Sequence, residues 1–243
     1  MKKLYDKSEI LFAILWIVIY VVLMGTLKSN FGLDTPLHML GMIVISAVMY
    51  LFVRKNGLTE KYGLAGWAKN SRAMLWFIPL WIFSCLNLFS GFLPDYPVPG
   101  VIWAAVSMAL VGFVEEMLFR GFLFKAMLKG GSVKTAIIVS SITFGLGHIL
   151  NLFTGQALGE TLLQVVFAIA IGFVFTLVFY KGGSLLPCIL AHSFIDVTSV
   201  FASDEGSQLL NIILHIVVFV ISVAYCIYLV KRVETPAINR ADT

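Results

Sequence analysis

Eight runs of 17 to 25 predominantly apolar residues divide almost the whole chain: Ile10–Leu27, Leu37–Val53, Leu75–Leu93, Gly100–Phe124, Thr135–Leu152, Thr161–Phe179, Ser184–Phe201 and Leu209–Val230. Each is long enough to cross a hydrocarbon layer of about 30 Å as a helix. None alternates with period two, so a membrane barrel is excluded and helices are the remaining way to satisfy the backbone in lipid. Composition agrees. Hydrophobic residues make up 60% of the chain and charged residues 12%, about half the ~25% of soluble domains. So few charges cannot cover a water-soluble globule of this size. A soluble enzyme, a disordered chain and a nucleic-acid binder are excluded, the net charge of +4 notwithstanding. The expected fold is all-α, a polytopic membrane protein of eight transmembrane helices in which residues 1–243 form a single membrane domain. The first run follows a short basic segment and lacks a small-residue cleavage site, so it is expected to be kept as a span.

Positive charge orients the spans. Lys2, Lys3, Lys7, Arg54, Lys55, Lys61, Lys69, Arg72, Lys125, Lys129, Lys134, Lys181, Lys231, Arg232 and Arg240 all fall on one side, which makes fifteen. The other side has Lys28 alone, with Asp34, Asp95, Glu160, Asp204 and Glu205 in its loops. Both termini are therefore expected in the cytoplasm. Cys85, Cys188 and Cys226 lie in apolar runs without CxxC spacing and suggest neither a disulfide framework nor a thiolate metal site.

Charged groups inside a bilayer cost at least a few kcal/mol each and are usually functional or paired. Four occur within the spans, Glu115, Glu116, Arg120 and Asp196, accompanied by His148, His192 and His215. Glu116 and Arg120 are i, i+4 and share a helix face, which predicts a salt bridge. Glu115 is turned about 100° away and has Phe119 as its i+4 neighbour, so it lacks a local counter-ion. His192 and Asp196 share a face of the seventh span, as Phe144 and His148 do of the fifth. At about 1.5 Å per residue from the cytoplasmic ends, Glu115, His148, His192 and Asp196 lie roughly 12 to 20 Å deep. They are expected to converge on one polar pocket. His215, near the outer face, and the interfacial His38 read as structural.

Such a pocket suits hydrolysis. A carboxylate without a fixed counter-ion in a low-dielectric site can act as general base on water. Imidazoles can stabilise an oxyanion, and two histidines with one or two carboxylates also meet the ligand requirement of a hydrolytic Zn²⁺. His148, His192, Glu115 and Asp196 are the candidate metal ligands. For Glu116 and Arg120 the simpler role is an ion pair that fixes helix packing.

The run Glu115-Glu116-Met-Leu-Phe-Arg120 resembles the EExxxR motif of the CAAX protease and bacteriocin-processing (CPBP, or Abi) family of intramembrane proteases. Phe144-Gly-Leu-Gly-His148 resembles its FxxxH motif and His192-Ser-Phe-Ile-Asp196 its HxxxN/D motif. The three occur in family order, and the resemblance covers Trp103–Val200 as a catalytic core. It implies that Glu115 activates water, that Glu116 and Arg120 are the supporting pair, and that His148 and His192 stabilise the oxyanion or hold a metal. Asp196 stands where the eukaryotic type II CAAX prenyl endopeptidases have Asn, while prokaryotic members carry either. Its role stays open between oxyanion donor, metal ligand and partner of His192. Both a metalloprotease and a metal-free glutamate mechanism are compatible with the resemblance. The HExxH, GxSG and GxGD motifs of other intramembrane proteases are absent from the sequence.

The expected activity is hydrolysis of a peptide bond in a membrane-associated substrate: a lipidated, leader-type or bacteriocin-like peptide. The expected location is the plasma membrane of a prokaryote, with the bilayer and the peptide as partners and no nucleic acid. Two other classes fit the composition. A non-catalytic scaffold or bacteriocin self-immunity protein would keep the fold without turnover. A proton-coupled transporter would use the same Glu and His residues as a relay, although no inverted repeat is visible.

Overall fold

The computed structural model describes residues 1–90, 96–202 and 208–236. Asp95, Asp204, Glu205 and Arg240, used above to sort the loops, lie outside these residues, as does the end of the third apolar run. The described chain is helical, with no strand among the described residues. A short α1 (Lys2–Lys7) leads into α2 (Glu9–Phe31) and α3 (Pro36–Lys55). The third run holds α4 (Ile78–Cys85) between two 3₁₀ turns. The fourth run begins as α5 (Gly100–Glu116), becomes a π-helix over Met117–Phe124 and ends as α6 (Lys125–Gly130). Then follow α7 (Val133–Gly147), a 3₁₀ segment His148–Thr154, α8 (Leu158–Gly182), α9 (Leu186–Ser199) and α10 (Gln208–Arg232).

Six of these helices are long and apolar enough to cross a membrane: Glu9–Phe31, Pro36–Lys55, Gly100–Gly130, Val133–Phe153, Leu158–Gly182 and Ile212–Arg232. The third and seventh runs form shorter apolar helices, Leu75–Phe89 and Leu186–Ser199. In the third, Leu75, Trp76 and Phe77 have φ of 55°, 46° and 61°. A left-handed turn of three bulky residues breaks the α-helix where the run should start, at a cost of order 1–3 kcal/mol per residue. Hydrogen bonds from Tyr225 Oη to Met74 O at 2.7 Å and from Tyr228 Oη to Ala73 O at 2.9 Å brace the segment that leads into it.

The centre of the bundle is α8, whose most apolar stretch is 61% buried, against 22% for α2 and for α10 at the periphery. Small residues let helices approach it and one another. A Cβ on Gly112 would run into the backbone and side chain of Ser193, which brings α5 against α9. Polar side chains then fix α9 in rotation. Ser193 Oγ donates to Ala109 O at 2.6 Å, Ser84 Oγ to Ala191 O at 3.1 Å, and Asn87 Nδ2 to Ile195 O at 2.8 Å.

The chain segments richest in Lys and Arg gather at one end. Glu9 takes both Lys61 and Lys129. Asn70 Nδ2 donates to Lys181 O, and Lys181 Nζ to Val233 O, each at 2.7 Å. Leu185 N donates to Gly63 O at 3.0 Å. Elsewhere Gly100 lies against Asp34, and Val101, Ala104 and Val200 pack together with Leu33, Tyr96 and Phe201. His38 departs from expectation. It is buried rather than interfacial, its Nδ1 lying 3.2 Å from Ser107 Oγ, because α3 packs along α5.

Candidate active site

The expected ion pair forms at the π-helix. Arg120 Nη1 donates to Glu116 Oε1 at 2.8 Å, and both side chains are fully buried. A π-turn inside an α-helix is rare and frequent at functional sites. Here it follows immediately on Glu115 and Glu116, and Ser140 Oγ of α7 donates to the carbonyl of Phe119 within it at 2.9 Å. The guanidinium is held on several sides. Its Nη2 donates to Gly172 O of α8 at 3.3 Å, and its carbon stands 4.1 Å from the ring centre of Phe144 and 5.4 Å from that of Phe175. Two aromatic faces and a charge partner compensate a cation out of contact with water.

Glu116 also gathers a histidine from α9. His192 Nδ1 lies 2.9 Å from the same Oε1, so Arg120 and His192 share one carboxylate oxygen. Protonated on both nitrogens, the ring donates from Nδ1 to Glu116 and points its Nε2–H toward two further carboxylates. Asp196 Oδ2 is 3.4 Å from Nε2 and Glu115 Oε2 is 3.8 Å from it. Phe144 and Phe175, each 5.6 Å away between ring centres, flank the imidazole and limit its rotation. Asp196 thus faces His192, the residue one helical turn before it.

Glu115 is partly buried, and its Oε1 accepts a hydrogen bond from Tyr20 Oη of α2 at 2.8 Å. His148 opens the 3₁₀ segment after α7, its ring edge-on to Phe144 at 5.6 Å and within electrostatic reach of Glu115 and His192. All six candidate residues therefore lie in one region, though not as one cavity. A cavity of about 270 Å³ is lined by His148, His192 and Asp196 together with His215, Asn87 and Gln164. Glu115 is not among its lining residues.

Of the four candidate metal ligands, Glu115 and Asp196 both face Nε2 of His192, and His148 stands near by. Among the described residues no group of three or more His, Cys, Asp and Glu side chains is placed to hold a metal ion. Nδ1 of His192 is taken by Glu116, and Nε2 sits between Glu115 and Asp196.

Sequence pattern does not single out Tyr20, Asn87 or Gln164, and His215, which reads as structural from the sequence, lines the cavity. One signal was available: the depth count that grouped Glu115 with the histidines puts Tyr20 about 15 Å from the start of its run, well inside the belts where tyrosine usually sits.

A multi-helix membrane protein with a buried Glu–Arg–His network beside a second glutamate has the parts of an intramembrane hydrolase. Residues 97–198 match the family model described as type II CAAX prenyl endopeptidase, Rce1-like. The matched segment contains all three motifs, bears out the resemblance to the CPBP family and implies a protease. Comparison with curated proteins and with solved structures gives no match.

Proposed function

We propose that the chain is an intramembrane endopeptidase in which Glu115 is the general base. The observation that carries this reading is the division of labour between adjacent carboxylates. Glu116 is spent on Arg120 and His192, whereas Glu115 keeps Oε2 turned toward His192 Nε2. In the proposed reaction Glu115 Oε2 takes a proton from water as the water oxygen bonds to the scissile carbonyl carbon. The carbonyl oxygen gains the negative charge, and His148 and His192 are the groups at hand to stabilise it. The tetrahedral intermediate collapses with cleavage of the C–N bond, and the proton held by Glu115 passes to the leaving amine. Glu116 and Arg120 hold His192 in place, and Asp196 orients it.

The family match favours as substrate a membrane-associated peptide with a lipidated, CAAX-type end. We place the protein in the plasma membrane of a prokaryote, crossing it eight times with both termini in the cytoplasm. Contacts among the Lys-bearing segments at one end of the bundle support that topology, since Lys61, Lys129 and Lys181 are tied there to Glu9, Asn70 and Val233. The test is hydrolysis of quenched peptides by purified protein in nanodiscs, with and without a prenyl group on the peptide. Cleavage that depends on the prenyl group is expected. A well-folded protein that binds such peptides without cleaving them would favour the scaffold reading instead.

A further inference from the structure

Tyr20 lies outside the segment that matches the protease family, yet its hydroxyl meets Glu115 at 2.8 Å. The phenol is placed by the whole face of α2 below it. Glu9, Phe12, Ala13, Trp16 and Tyr20 follow helical spacing, and Phe12, Ala13 and Trp16 are buried. Phe12 meets Phe122 of the π-helix with ring centres 5.1 Å apart, and Glu9 pairs with Lys129 at the end of α6. Glu9 and Tyr20 are three turns apart on one face. So α2 is fastened to the helix that carries Glu115 at both ends of this stripe. In an apolar span a phenylalanine would fill the same space, and a hydroxyl at this depth needs a partner. The partner is Oε1 of Glu115, a site carboxylate to which Arg120 does not donate.

We propose that Tyr20 is a positioning residue for Glu115. Its hydroxyl occupies Oε1, fixes the plane of the carboxylate and directs Oε2 toward His192 Nε2, where the proton of the attacking water must be taken. The proposal rests on Glu115 being the base. It makes the first long helix part of the active site and not only a membrane anchor.

The test is Tyr20→Phe in nanodiscs. The expected result is a fall in kcat of about ten- to a hundred-fold, the worth of one hydrogen bond to a charged group, with KM and the melting temperature nearly unchanged. In a Glu115→Gln background the same substitution should cost nothing further. A second readout does not need turnover. Labelling of Glu115 by a lipid-soluble carbodiimide, followed by peptide mass spectrometry, should be several-fold faster in Tyr20→Phe than in wild type. A purely structural tie between α2 and α5 would lower the melting temperature and leave kcat unchanged, which overturns the proposal, as does unchanged labelling. If wild type cleaves no peptide, the protease reading fails, and the labelling comparison alone decides whether Tyr20 governs Glu115.

Discussion

His192 Nδ1 lies 2.9 Å from Glu116 Oε1, an oxygen that also accepts Arg120 Nη1 at 2.8 Å. One carboxylate oxygen thereby joins α9 to the π-helix, and through the second nitrogen of Arg120 the same network reaches α8. The position of an imidazole beside Glu115 depends on an ion pair that need not itself touch substrate.

Replacing Arg120 by Lys therefore should not be conservative. An ammonium can meet Glu116, but it cannot also span to Gly172 O and cover the face of Phe144. Arg120→Lys is expected to destabilise the fold by about 1.5–3 kcal/mol, the worth of a lost hydrogen bond to a charged group. Reversible unfolding in detergent measures this, and a variant as stable as wild type would show that the network is not structural.

Gly112→Ala tests the approach of α5 to α9. The added Cβ would collide with Ser193, next to His192 in the chain. Overpacking of this kind costs about 1–3 kcal/mol, and it should move His192 away from both glutamates. A lower melting temperature together with a lower kcat is expected. Loss of stability with full activity would mean that the helices part elsewhere.

These relationships mark what local sequence patterns can carry. The pairing of Glu116 with Arg120 was legible because i, i+4 spacing is a property of one helix. So was the common depth of Glu115, His148, His192 and Asp196, which needs only a count from each helix end. The contact of Glu116 with His192 and that of Tyr20 with Glu115 depend on how separate helices are rotated, and no periodicity within one span records that. The π-helix at Met117–Phe124 has no local composition to announce it. Nor could run lengths reveal that the third run forms a short helix, since hydropathy continues through the left-handed turn at Leu75–Phe77.

Outside the spans, Lys61 offers a pH test. Burial alone would lower its pKa, but hydrogen bonds from its ammonium to Glu9 and Tyr5 outweigh that and raise it above the ordinary 10.5. A raised value means that the folded state favours the protonated form. The resulting stability is present in full below pH 10.5 and is lost as pH rises through the higher folded value. The contribution is about 0.5–1 kcal/mol. Thermal unfolding between pH 8 and about 12 should decline less steeply for Lys61→Met than for wild type. Parallel curves for the two proteins would remove this pair from the stability account.

Reporter fusions test the orientation. A reporter active only in the cytoplasm should work when joined at either terminus or within Lys129–Lys134, and one active only outside should work after Phe31 or Leu158. Activity of the second reporter at a terminus would contradict the positive-inside assignment.

The central claim is that Glu115 activates water while its neighbour Glu116 organises the site. The direct measurement is single-turnover hydrolysis of a quenched, prenylated peptide by Glu115→Gln and by wild type, both checked for the same melting temperature. The account requires a loss of at least about a thousand-fold in Glu115→Gln, the upper part of the usual ten-squared to ten-to-the-fourth range for a general base, with peptide binding retained. Hydrolysis within ten-fold of wild type would contradict it and put the water-activating group elsewhere.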